Sequence, residues 1–251
     1  MRDIIRNLGV VLLVGATFLF GWSQSSASSR VEKAHSRYAA SQAANFEALG
    51  LDPGAQIFIR IVKSTPGDDS PGVLEAFVED RTGEFVLYKR WDICAWSGTL
   101  GPKLSEGDGQ SPEGFYFITR SSLNPYSNYH LSFNLGFPNA HDRANGWTGS
   151  FLMVHGNCVS IGCYAMTDDG IEEIYTLITS ALDGGQRFIR VHIFPFEMTN
   201  ENLQRFKDDP NVDFWENLKE GWDWFETFKA PPNVTVVDKG YAFSSIAGFR
   251  N

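Results

Sequence analysis

Residues 57–63, Ile57-Phe58-Ile59-Arg60-Ile61-Val62-Lys63, set Ile57, Ile59 and Ile61 on one face, and this period of two commits the chain to a sheet. The segments 74–79 and 84–90 flank Asp80-Arg81-Thr82-Gly83 and read as a hairpin. Further strands are predicted over 91–96, 115–118, 151–154 and 188–194. Gly and Pro punctuate the intervals, at 64–72, Gly101-Pro102, Gly107-Asp108-Gly109 and Ser111-Pro112-Glu113-Gly114. Helical signals lie at the two ends. Residues 30–49 are alanine-rich and stop at Gly50 with Pro53 beyond. A second helix starts at Asp168 or Asp169, with Asp169 and Glu172 spaced as a capping pair, and carries Ile171, Ile174, Tyr175, Ile178, Ala181 and Leu182 as a core-facing stripe. Residues 200–208 and 212–228 complete the set, with Trp215, Leu218, Trp222 and Phe225 sharing a face. The expectation is a single α+β domain, strand-rich in its first two-thirds and helical towards its end.

Charge and cysteine content narrow the class. With 43% apolar residues the 251-residue chain has globular composition, and its 20 Phe, 8 Tyr and 7 Trp supply a substantial core. A net charge of −9 argues against a nucleic-acid partner, whose phosphates call for the opposite sign. Three cysteines are too few for a disulfide-stapled scaffold. Arg2 and Arg6 precede an uncharged apolar run over 8–22, and Ser25-Ser26-Ala27 follows with small side chains. That is the pattern of a secretory leader cleaved after Ala27, with an uncleaved anchor as its alternative; the run is short of the ~20 residues a membrane span takes. Either reading exports the rest of the chain to the periplasm or cell envelope, with a membrane contact only through the leader.

The chemistry concentrates in Val154-His155-Gly156-Asn157-Cys158-Val159-Ser160-Ile161-Gly162-Cys163-Tyr164. A strand delivers His155, and a glycine-bearing loop leads to Cys163 just ahead of a helix. A cysteine attacks as thiolate, so it needs a base beside it, and an imidazole is the right type. Gly162 permits close backbone approach, so the amides of Ile161, Gly162 and Cys163 can converge on a developing oxyanion. A buried cysteine near a structural histidine is the plain alternative.

The run His155-Gly156 followed by Ser160-x-Gly162-Cys163 resembles the signature of YkuD-type L,D-transpeptidases, which usually read HG…S-H-G-C. Upstream, Trp96-Ser97-Gly98 and Gln110-Ser111-Pro112-Glu113-Gly114-Phe115-Tyr116 are similar to the family's S-T-G…T-P-x-G-x-F stretch. The resemblance spans about 57–196. Asn134-Leu135-Gly136-Phe137-Pro138-Asn139, Ala165-Met166-Thr167-Asp168 and the eight-position step from His155 to Cys163 look most like the YafK-like branch. It implies a β-sandwich-like catalytic domain over 56–198, after a leader at 1–27 and a helical lead-in at 28–55 and before a helical extension at 199–251. It also implies ping-pong acyl transfer on peptidoglycan stem peptides, with Cys163 as nucleophile, His155 as base and the Gly156 carbonyl orienting the imidazole. The acyl group would pass to an amine or to water, and cleavage of peptidoglycan-linked protein would make the chain an amidase. Ile161 stands where most members carry a second histidine, so His155 is expected to be the sole base.

Other residues carry weaker expectations. Ser160, Tyr164, Arg143 and His130 are candidate substrate contacts, and Trp147 either lines the groove or packs in the core. His192 is read as structural, and His35 and His141 as surface. Cys94 and Cys158 either pair or remain buried free thiols. No C-x-x-C or H-x-x-x-H spacing points to a metal, and no cofactor is expected. A papain-like hydrolase is disfavoured because its Cys precedes its His. The rival of another class is a secreted wall-binding module without catalysis.

Overall fold

The computed structural model describes residues 11–64 and 72–245, with side chains from Ser29 onward. Its main sheet contains β1 (Ile57–Val62), β2 (Val73–Glu79), β3 (Phe85–Asp92), β4 (Gly114–Ile118) and, much later in the chain, β9 (Ile189–Phe194). Their order is β3-β2-β1-β9-β4, with β1 and β9 parallel and the other pairs antiparallel. Every residue of β1 is buried, as a central strand covered on both faces must be. The predicted strand over 91–96 does not form: β3 runs on through Asp92, and beyond it only Ala95 makes a single bridge, to Ala165.

A second sheet of short strands, β5 (Leu123–Asn124), β6 (Ser132–Asn134), β7 (Met153–His155) and β8 (Tyr164–Ala165), runs in that order, with β7 and β8 parallel. Between the two sheets lies the largest core, where Ile57, Ile59, Ile61, Val191 and Ile193 meet Phe133, Val154 and Tyr164. Helix α3 (Asp168–Asp183) closes it with Ile171, Ile174, Tyr175 and Ile178. Its cap is Thr167, whose hydroxyl accepts the Gly170 N–H, and not the Asp169 pair expected from spacing.

Helix α1 (Val11–Ala48) is continuous through residue 27, and the first ten residues of the expected leader lie outside the described residues. Ala34 and Phe46 join the core, and Gln42 donates to the Glu173 carbonyl of α3 at 2.8 Å. Among the described residues no helix is long and apolar enough to cross a membrane.

The other face of the main sheet carries a separate layer. Helix α2 (Ala140–Ala144) lies before β7, while α4 (Asn200–Arg205) and α5 (Val212–Phe228) follow β9. Trp215, Leu218 and Trp222 of α5 pack on Phe194, Phe196 and Met198. A hairpin of β10 (Asn233–Val237) and β11 (Gly240–Ser244) then replaces the all-helical ending expected from the sequence. The α+β class stands.

Candidate active site

Strand register sets the faces on which His155 and Cys163 lie. Val154 pairs with Tyr164 and His155 with Ala165, and both Val154 and Tyr164 point into the core. Alternation therefore turns His155 of β7, and Cys163 just ahead of β8, to the opposite face. Cys163 is partly exposed and is the free cysteine of the described residues. His155 is 4% exposed.

The imidazole has a fixed tautomer. His155 Nδ1 lies 2.6 Å from the Gly156 carbonyl, which can only accept, so Nδ1 carries the proton and Nε2 keeps a free lone pair. Gly156 must lack a side chain: a Cβ there would lie 2.6 Å from Asp168 Oδ1 and 3.0 Å from the His130 Cβ. Asp168 instead accepts the Asn157 N–H at 2.8 Å, which docks the loop onto the start of α3. Tyr129 covers the imidazole, with ring centroids 4.8 Å apart.

Cys163 sits on a seat of hydroxyl groups. The Cys163 carbonyl accepts from Ser111 Oγ at 2.9 Å and from Ser160 Oγ at 2.8 Å. Ser97 joins this seat, its N–H donating to Ser111 Oγ and its Oγ lying 3.2 Å from Ser160 Oγ. Tyr164 Oη donates to the Pro112 carbonyl at 2.6 Å. Both upstream motifs thus end at the cysteine. Beneath them, buried Glu113 binds Lys63 at 2.9 Å and accepts the Trp215 indole N–H at 2.9 Å.

The structure pairs Cys94 with Cys158, which ties the loop between His155 and Cys163 to the segment after β3. The thiol itself donates to the Phe151 carbonyl at 3.7 Å. Phe151 adopts φ +54° and leaves its ring 74% exposed, and His130, Asn157 and Cys158 also take positive φ around the site. Non-glycine residues hold that conformation only where their surroundings impose it.

Burial sets the resting protonation. It pushes the His155 pKa below the ordinary imidazole value, against the upward pull of the Gly156 carbonyl. It pushes the Cys163 thiol up, against the Met153 amide and the Lys103 ammonium. Both shifts favour a neutral thiol beside a neutral imidazole.

Several sequence expectations change. Tyr164 is fully buried and bonded to Pro112, so it packs in the core and does not face substrate. Ser160 spends its hydroxyl on the seat. His130 is held by Glu172 at 2.8 Å, and Arg143 by the Pro138 carbonyl. Among the three candidate oxyanion amides, Gly162 N–H already donates to Ser160 Oγ at 3.3 Å, while those of Ile161 and Cys163 carry no hydrogen bond among the described residues. Gly162, at φ +121°, is where a glycine is needed. His141 is buried against Tyr241, His35 is half-buried on Thr179, and Trp147 packs against His141 and Phe214. His192 is structural in position, ringed by Phe58 and Phe115. Ile161 is 86% exposed. Tyr129 and Phe151 had no sign in the sequence, because their roles depend on loop placement. Among the described residues no three His, Cys, Asp or Glu side chains converge as metal ligands.

The sequence that builds this site and the main sheet around it matches a known family. The family model described as YkuD, L,D-transpeptidase catalytic domain, matches residues 78–193, and the chain belongs to that family. It is 49% identical over 183 residues to the protein called "Putative L,D-transpeptidase YafK" from Escherichia coli (strain K12), covering 70% of this chain and 74% of that one, and equally to the O157:H7 protein of the same name. Among solved structures, the helical cell shape determining protein Pgp2 from Campylobacter jejuni aligns with a TM-score of 0.43 at 16% identity, over 78% of this chain and 80% of that chain. Bdellovibrio bacteriovorus Bd1075 aligns with a TM-score of 0.34 at 18% identity, over 68% of this chain and 58% of that one.

Proposed function

We propose that this chain is an exported cysteine acyltransferase that acts on peptidoglycan stem peptides through a Cys163 thioester. The observation that carries the reading is the Nδ1 lock on His155, which leaves Nε2 free to take a proton on the face where Cys163 sits. In the first half-reaction the thiol rotates from the Phe151 carbonyl and gives its proton to Nε2 as sulfur attacks the carbonyl of the L-centre of the stem's diamino acid. The oxyanion meets the free Ile161 and Cys163 amides. Collapse breaks the peptide bond, and the departing amine of the terminal D-residue takes the proton from the imidazolium. In the second half an amine or water attacks the thioester, gives its proton to Nε2, and releases the thiol. An amine acceptor from another stem makes a cross-link. Water makes a carboxypeptidase or, if the leaving amine belongs to a wall-linked protein, an amidase.

The reading includes a leader over 1–27, supported by Arg2, Arg6 and the apolar run at 8–22. The test is incubation of purified protein with defined muropeptides, with and without protein attached, and analysis of products by mass. Wild-type protein is expected to form products and a covalent carbapenem adduct at Cys163, and Cys163→Ser neither, with an unchanged circular dichroism spectrum. A folded Cys163→Ser protein with near-normal turnover overturns the assignment. Wild-type protein that binds wall material but forms no adduct or product favours the wall-binding module.

A further inference from the structure

On the face of the main sheet turned away from the thiol, a cavity of about 300 Å³ lies between β4, β9, α2 and the β10–β11 hairpin. Phe115 and Tyr241 wall it with aromatic surface, and Asn139, His141, Arg190 and His192 supply its polar groups. No residue of the cysteine site lines it.

Asn139 is paired, with Phe115 and Tyr241, but the other three polar side chains each keep an unmatched group among the described residues. Arg60, the arginine of neighbouring β1 on the same face, binds Glu75 at 2.5 Å and Glu226 at 2.7 Å. Arg190 meets no carboxylate among the described residues, and its guanidinium lies 4.9 Å over the Phe188 ring. His192 is 1% exposed and His141 4%, yet Nδ1 of each lacks a hydrogen-bond partner among the described residues. Folded proteins leave few such groups, because a buried donor or acceptor that has given up water without a replacement bond destabilises the fold. Burial, Arg190 and Arg60 all press His192 towards its neutral form, so the cation of the cavity wall is the guanidinium; the buried Asp142 carboxylate lies behind His141, 3.7 Å from its Nδ1.

We propose that this cavity binds a small carboxylate with a flat apolar body, its carboxylate taken by the Arg190 fork beside His192 and its body laid against Phe115 and Tyr241. A planar guanidinium matches two coplanar oxygens, which selects a carboxylate. Ring walls select a flat body, and the volume sits at the small end of the roughly 300–1,000 Å³ of ligand pockets. The site is independent of the thiol chemistry and of its substrate.

The probe is benzoate, with benzamide as its uncharged counterpart, titrated calorimetrically into the full chain. Benzoate is expected to bind at millimolar concentration or below, and benzamide about tenfold weaker or worse, since only the carboxylate meets the guanidinium in a charged pair. Arg190→Gln should lose benzoate affinity by a similar factor and Arg190→Lys by less, while iodoacetamide blocking of Cys163 should leave it intact. Equal affinity for the two probes overturns the proposal, as do unchanged benzoate binding in a folded Arg190→Gln protein, no binding of benzoate at millimolar concentration, and loss of binding on blocking Cys163. If Arg190→Gln fails to fold, the two probes on wild-type protein decide.

Discussion

Around Cys163 the strands are two or three residues long, and four non-glycine residues, His130, Phe151, Asn157 and Cys158, hold positive φ. In the main sheet β1, β2 and β3 run six to eight residues, and no non-glycine residue of its strands takes that conformation. The main sheet is held by packing, with Arg60 and Lys63 matched by Glu75 and Glu113. The small sheet has too little ladder to fix its own geometry, so hydroxyls, a disulfide and a carbonyl-locked imidazole do so. Strain gathers where a side chain must be aimed, and packing gathers where it need only be buried. Variants on the two sides should therefore separate rate from stability.

The sharpest test is a pair of histidines. His155→Gln should lower kcat/KM by about 10²–10⁴, the usual range for a general base, with the melting temperature nearly unchanged. His192→Gln should do the reverse, keeping the rate and lowering the melting temperature. Equal loss of rate in a folded His192→Gln protein would break the comparison. Next, Lys63→Met strands the Glu113 charge in the core, and urea unfolding should show a loss of about 3–5 kcal/mol while the folded fraction turns over normally. Reduction of Cys94–Cys158, or Cys94→Ala with Cys158→Ala, should move both quantities. Stability should fall by about 2–4 kcal/mol, and turnover severalfold, because the bridge holds the loop between base and nucleophile.

The smallest effect is in pH. With the His155 pKa lowered, the base stays deprotonated below the ordinary imidazole range, so the acid limb of kcat/KM should lie below pH ~6.5. With the Cys163 pKa raised, alkylation by iodoacetamide should keep accelerating above pH ~8.5, where an ordinary thiol levels off. An acid limb above the ordinary value would show that the imidazole is charged at rest.

Much of this division is legible in the residues. Ile57, Ile59 and Ile61 announce a strand because only a sheet makes them neighbours, and His155-Gly156 and Cys163 announce chemistry because their spacing crosses a single short loop. The C-terminal hairpin was legible too, in the β-branched run Val234-Thr235-Val236-Val237, but the strong helical stripe of α5 beside it dominated the reading. Thr167 outcompetes Asp169 as the cap of α3 because the chain enters the helix from β8, two residues earlier than the acidic pair suggests. Tyr129 against His155, and Arg190 without a carboxylate partner among the described residues, were not legible, since each depends on which distant segment folds alongside.

The seat beneath the nucleophile is made of neutral parts. Ser97, Ser111 and Ser160 hold the Cys163 carbonyl, and the Phe151 carbonyl receives the thiol. Dissolved ions weaken contacts between exposed charges over a Debye length of about 8 Å at 0.15 M, and hydroxyl–carbonyl bonds offer them little to screen. The nucleophile should therefore keep its place in brine as in dilute buffer. A dependence of turnover on ionic strength would then report how a charged wall fragment finds this acidic protein, and not how the cysteine is held.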